Sequence, residues 1–235
     1  MKYLQRLIFI SGCLLCLLIP TFSGAIPIGS HLCKDSAHYT CYTIKRGDTW
    51  ANLFTNQRER DLVMRVNRMN IPLYRGLQIA IPNDLYADVK RFSPFPEKIS
   101  PPGQKVIYVS LHPLVLAWGA YDSQGYLEAW GPAVGARGYC PDTGHSCHTA
   151  LGHFTIYRKQ GAKCVSTRFP VGKGGAPMPW CMFFHGGYAL HGSYEVPGFN
   201  ASHGCVRLFV PDAEWLNQVF TAGDNNVMVI VTNTK

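Results

Sequence analysis

Residues 191 to 208 read HGSYEVPGFNASHGCVRL, with His191 upstream of Cys205 and His203 two residues before it. A cysteine attacks as its thiolate, yet an unperturbed thiol of pKa about 8.5 is only a few per cent ionised at neutral pH. Histidine titrates near neutrality, so it can take the thiol proton and later return one to a leaving amine. On an extended backbone His203 would share a face with Cys205, whereas His191 must be brought in by the fold. Gly204 lets the backbone approach closely and could leave amides free to stabilise an oxyanion. Residue types alone leave two readings open: Cys205 as nucleophile, or Cys205 as one more half-cystine.

The compartment bears on that choice. Residues 1–25 carry Lys2 and Arg6, then an apolar run from Leu7 to Ile19, then the small residues Ser23 and Ala25. This is the layout of a cleaved export signal, with an apolar run shorter than the roughly 18 residues that span a bilayer. No stable membrane anchor is expected after cleavage. Of nine cysteines, Cys13 and Cys16 would leave with the signal, and the remaining seven, an odd number, imply three disulfides and one thiol in an oxidising compartment. Proximity in sequence favours Cys33 with Cys41, Cys140 with Cys147 and Cys164 with Cys181, leaving Cys205 free. The balance of 22 Lys+Arg against 14 Asp+Glu falls to 20 against 14 without Lys2 and Arg6. The basic residues are scattered, which suits an anionic envelope polymer and excludes nucleic acid as the expected partner.

The elements that must position the site fall into two units. In the first, YTIKR alternates as a short strand, Gly47 makes a turn, and Asp48 or Thr49 can cap a helix through WANLF. Leu62, Val66 and Met69 then mark one face of a second helix, and GLQIAIP returns as a strand. Residues 85–104 form a linker with prolines at 94, 96, 101 and 102, semi-extended, holding the two units apart or docked with limited freedom. From Lys105 short apolar runs alternate with Gly and Pro turns, giving a β-rich domain over 105–235. Its one helix is PDAEWLNQVF, with Pro211 at a first helical position and Trp215, Leu216, Val219 and Phe220 on one side.

Residues 40 to 84, with GDTW, NRMN and GLQIAIP, resemble a LysM module, lying within an N-terminal segment 26–84. That resemblance implies a small α/β βααβ unit that binds N-acetylglucosamine-containing glycan strands such as peptidoglycan; the alternative is a small structural prodomain. The string from His191 to Leu208 is similar to the active-site motif of YkuD-type L,D-transpeptidases: His-Gly, a variable gap, then Ser/Thr-His-Gly-Cys, an apolar residue and Arg or Asn. TALGHFTIYRK resembles a further family segment, with Ala150 where proline is usual, and GGAPMPWCMFFHGGYALHG one that carries a substrate-facing Met-Pro.

The resemblance implies a mainly β catalytic domain, a β-sandwich with a short helix, that needs no cofactor or metal. It implies Cys205 as nucleophile on a tetrapeptide stem, His191 as general base and acid, and the Gly192 carbonyl as orienting acceptor. His203, Gly204 and the Cys205 amide would shape the oxyanion environment; Arg207, Ser202, Met178 and Trp180 would meet substrate, with Ser202 hydrogen-bonding within its loop. The thioester would pass to a second stem's amine, giving a 3-3 cross-link, and a sensitivity to carbapenems follows. Attachment of an envelope protein, or hydrolysis, would use the same two residues. A non-catalytic peptidoglycan-binding protein would instead have Cys205 in a disulfide. The expected location is the bacterial periplasm or envelope. His185 reads as a packed or exposed histidine, and the cluster of Cys140, His145, Cys147, His148 and His153 as a disulfide-closed insertion rather than a zinc site.

Overall fold

The computed structural model describes residues 27–235; the expected signal at 1–25 lies outside them. A short helix, α1 (Ile28–Leu32), leads into β1 (Tyr39–Thr43), α2 (Trp50–Leu53), α3 (Gln57–Val66) and β2 (Gln78–Pro82). Strands β1 and β2 pair antiparallel, so the order strand, helix, helix, strand closes on itself. Thr49 rather than Asp48 caps α2: its hydroxyl accepts from the Asn52 amide while the Asn52 side chain accepts from the Thr49 amide. Asn56 caps α3 one way, its side-chain oxygen accepting from the Arg58 and Glu59 amides. Leu62, Val66 and Met69 are all buried as the spacing predicts, but the core of the unit is made by Ile44, Trp50, Phe54, Val63, Met69, Leu77 and Ile79, with Val63 rather than Leu62 or Val66 as the contribution of α3. Met69 lies beyond the helix, which Arg68 ends with φ of 59°.

After a 3-10 turn at Val89–Phe92 come β3 (Val106–Ser110), β4 (Ala117–Tyr121), β5 (Leu127–Val134), β6 (Gly138–Cys140), β7 (His145–Cys147), β8 (Gly152–Thr155) and β9 (Arg158–Lys159). The chain continues through β10 (Met182–His185), β11 (Tyr188–Gly192), β12 (Val206–Leu208), α4 (Val210–Trp215), a π-helical turn (Leu216–Phe220) and β13 (Met228–Thr232). Nine strands form one sheet in the order β8-β13-β3-β4-β5-β12-β11-β10-β9, and β6 pairs with β7 as a separate hairpin.

The sandwich expected from sequence is therefore a single sheet curled on itself. Strand β5 is the reason: eight residues long, it pairs with β4 up to Pro132 and with β12 at Ala133 and Val134, joining the two halves. Inside the curl lie Ile107, Val109, Trp118, Met182, Phe184, Leu190, Val206, Leu208, Val229 and Val231, covered by Ala213 of α4 and by Leu216 and Phe220 of the π-helical turn. Val219, expected on the same side as Leu216 and Phe220, faces solvent instead. The Thr221 amide bonds to the Leu216 carbonyl five residues back, and this wider turn rotates Val219 outward.

The linker is docked. Phe92, Phe95 and Ile99 cover the outer face of β3, β4 and β5, with Phe95 edge-on to Tyr108 and the Trp130 indole donating to the Val89 carbonyl at 2.7 Å. The first unit reaches the sheet through two arginines of α3 and its end. Arg65 makes a bidentate pair with Asp212 of α4 at 2.6 and 2.9 Å, and Arg68 is buried over the Trp130 ring, donating to the Val115 carbonyl. Burial pushes the Arg68 guanidinium down to about 9. Gly131 is required beside the pair, because a side chain there would run into the Asp212 carboxylate and the Arg65 guanidinium.

Candidate active site

Strands β11 and β12 run parallel, with Leu190 opposite Val206, His191 opposite Arg207 and Gly192 opposite Leu208. Side chains alternate along each strand. Leu190, Val206 and Leu208 point into the core, so Ala189, His191, Cys205 and Arg207 share the other face. The apolar positions of the motif thus fix the direction of its reactive ones.

Cys205 is partly buried and is the one free cysteine among the described residues; it packs on Met178, Phe183, Ala189 and the Cys164–Cys181 disulfide. The other disulfides are Cys33–Cys41 and Cys140–Cys147, the pairings that proximity suggests. Burial raises the Cys205 thiol above its ordinary pKa, while the Ala189 amide and the Arg207 charge act in the opposite direction. His191 is buried, and its ordinary pKa of 6.5 falls to about 4, chiefly by desolvation, partly offset by the Gly192 carbonyl. At neutral pH the site therefore holds a thiol and a neutral imidazole.

The His191 Nδ1 lies 2.9 Å from the Gly192 carbonyl, which can only accept. Nδ1 therefore carries the ring proton and Nε2 is the free base. Gly192 permits close packing with α4, since a side chain would meet the Val210 Cα at 2.9 Å.

The remaining expected residues separate. Ser202 is buried; its hydroxyl donates to the Cys205 carbonyl at 2.6 Å and accepts from the Gly204 amide at 3.0 Å. It organises the loop with its one donor committed, and the Gly204 amide is likewise committed. Among the described residues no acceptor takes the amide hydrogens of His203 or Cys205. Gly204 earns its place by packing: a side chain would lie 2.7 Å from the Tyr188 ring.

The ring of His203 does not turn toward Cys205 as simple alternation suggested; the loop is not extended there, and Asp142 holds Nε2 at 2.7 and 2.8 Å. Arg207 donates to the Glu195 carbonyl at 3.2 Å and stays on the Cys205 face. Met178 stands beside Cys205, whereas Trp180 is partly buried and packs against the residues of the inner core. His185 is exposed and lies against Phe154 and Tyr188.

Residues missed from sequence are Asp142 and Asn70. The Asn70 side chain donates to the Ser193 carbonyl at 2.9 Å and accepts from the Val196 amide at 2.8 Å, holding the segment that follows His191. NRMN marked this position only as a helix end.

Fold and site together define a curled-sheet domain that presents a cysteine and a histidine from adjacent parallel strands. Residues 104–231 match the YkuD family model, described as the L,D-transpeptidase catalytic domain, and the chain belongs to that family. An L,D-transpeptidase from Xylanimonas cellulosilytica shares the fold: 22% identity, TM-score 0.55, covering 81% of this chain and 97% of that one. An L,D-transpeptidase from Stackebrandtia nassauensis is 21% identical, covering 61% of this chain and 62% of that one, with a TM-score of 0.46. L,D-transpeptidase 3 from Mycobacterium tuberculosis, seen with a faropenem-derived adduct, is 16% identical over 83% of this chain and 91% of that one, at 0.43. No curated protein matches the chain.

Proposed function

We propose that the chain is an exported L,D-transpeptidase that acts on peptidoglycan stem peptides through a thioester on Cys205. The observation that carries this reading is the free thiol of Cys205 on one sheet face with His191, whose Nδ1 is tied to the Gly192 carbonyl. His191 Nε2 takes the thiol proton as Sγ attacks the carbonyl between the third stem residue and D-alanine. The amides of His203 and Cys205 receive the developing oxyanion. Collapse breaks the C–N bond, His191 returns the proton to the leaving amine, and D-alanine departs. The side-chain amine of a second stem then attacks the thioester, loses its proton to His191 and leaves a 3-3 cross-link with the thiol restored. Arg207 lies on the same face and suits a substrate carboxylate.

Residues 1–25 serve as the export signal, 40–84 as a LysM-like module that places the enzyme on glycan strands, 85–104 as linker and 105–235 as catalytic domain, in the periplasm or envelope. Among the described residues no helix is long and apolar enough to cross a membrane. Three disulfides among those residues suit an oxidising compartment.

The test is mass spectrometry of the mature protein and of Cys205→Ala after incubation with disaccharide-tetrapeptide. Cross-linked dimers made only with Cys205 present are expected. D-alanine loss without dimers would replace cross-linking by hydrolysis or by a protein acceptor, and no Cys205-dependent change would sink the enzymatic reading.

A further inference from the structure

Beside the nucleophile lies a carboxylate–histidine contact that the chemistry above does not use. Hairpin β6–β7 is closed by the Cys140–Cys147 disulfide. At its tip the Cys140 carbonyl accepts from the amides of Thr143 and Gly144 at 3.2 and 3.0 Å, and Gly144 takes φ of 69°. This turn presents Asp142 to His203, both carboxylate oxygens meeting Nε2, while the imidazole ring lies 4.3 Å from the Phe169 ring. The approach to the hairpin grips the same loop through its backbone. The Gly135 carbonyl accepts from the Ala201 and Ser202 amides at 2.9 and 2.8 Å, and the Arg137 amide donates to the Ser202 carbonyl at 3.0 Å.

Residue 203 is the weak joint of this loop. Ser202 is fixed from the chain before the hairpin and Gly204 by the Ser202 hydroxyl, but among the described residues His203 is anchored only through its side chain. The amide of His203 itself and that of Cys205, two residues on, are those that would receive a developing oxyanion. An oxyanion site works through donors already in place, and a displacement of about 1 Å can cost about a hundredfold in rate.

We propose that Asp142 is a positioning residue for acyl transfer at Cys205, acting through His203, and that the Cys140–Cys147 disulfide holds it there. The proposal rests on Cys205 being the nucleophile. It separates two reactions of the same thiol. Attack on a peptide carbonyl passes through an oxyanion and depends on the loop amides. Alkylation by iodoacetamide displaces iodide at a saturated carbon and forms no oxyanion.

The experiment compares the mature protein with Asp142→Asn, Asp142→Glu, Cys140→Ser/Cys147→Ser and Cys205→Ala, scoring turnover of a stem tetrapeptide and alkylation of Cys205 by iodoacetamide. Asp142→Asn is expected to lower kcat about ten- to a hundredfold with KM and the alkylation rate within about twofold of wild type. Asp142→Glu should recover part of the loss, and the double serine variant should behave like Asp142→Asn. Wild-type kcat in Asp142→Asn, or turnover and alkylation falling together, would overturn the role of Asp142. Wild-type kcat in the double serine variant would overturn that of the disulfide. Turnover by Cys205→Ala would remove the nucleophile assignment and this proposal with it; an inactive Cys205→Ala beside an unaffected Asp142→Asn would remove this proposal alone.

Discussion

Two regions outside the curled sheet hold the catalytic motif, and they do so with unlike bonds. The N-terminal unit holds its far side through a buried pair, Arg65 with Asp212, and through the amide of Asn70 on Ser193 and Val196. The hairpin of residues 138–147 holds its near side through His203 and Asp142, whose carboxylate is half exposed. Water decides the difference. A buried pair cannot lose one partner without stranding the other charge, whereas an exposed carboxylate is easily replaced by solvent. The first grip should govern whether the two units stay together, and the second where a loop sits.

Breaking the buried pair gives the largest expected effect: Asp212→Ala should cost about 3–5 kcal/mol in urea unfolding, because Arg65 is left charged and unpaired. Unfolding no easier than wild type would erase the contrast between the regions. Acid should reach the motif next, through a group that neither grip supplies. The pKa of His191 is near 6.5 unfolded and about 4 folded, so its contribution is present above pH 6.5 and is lost as pH falls toward 4. The loss amounts to about 3 kcal/mol over that window and should be absent in His191→Gln, measured by urea midpoints from pH 7 to 4.

Asn70→Ala strands the Val196 amide and the Ser193 carbonyl, and about 1–3 kcal/mol should be lost, together with turnover, since the freed segment directly follows His191. Turnover unchanged at equal stability would show that this side does not position the base. Smallest of all, Asp142→Asn should leave the thermal midpoint within error, and 1 M salt should affect wild-type turnover more than wild-type stability. A large drop in the midpoint would place the hairpin in the same class as the N-terminal grip.

What could be read from the sequence was whatever is local. The capped helices of the first unit and the three disulfides between near neighbours depend on residues close in sequence, so spacing exposes them, whereas alternation misplaced the His203 ring because the loop is not extended there. The pairing of Asp142 with His203 spans 61 positions and that of Arg65 with Asp212 spans 147; nothing in residue type announces either. The contacts of Ser202 and Trp180 within the fold were hidden for a related reason. Both belong to strings shared with a family, but a string does not say which side chains the loop uses for itself.

The three disulfides close loops with separations of 8, 7 and 17 residues, and every one lies N-terminal to Cys205. For a chain that crosses a membrane N-terminus first, each half-cystine meets its partner soon after it emerges. An oxidase working in order of arrival would close all three before the nucleophile appeared. Under the proposed export, that order would leave Cys205 the last thiol to arrive, with every earlier half-cystine already paired.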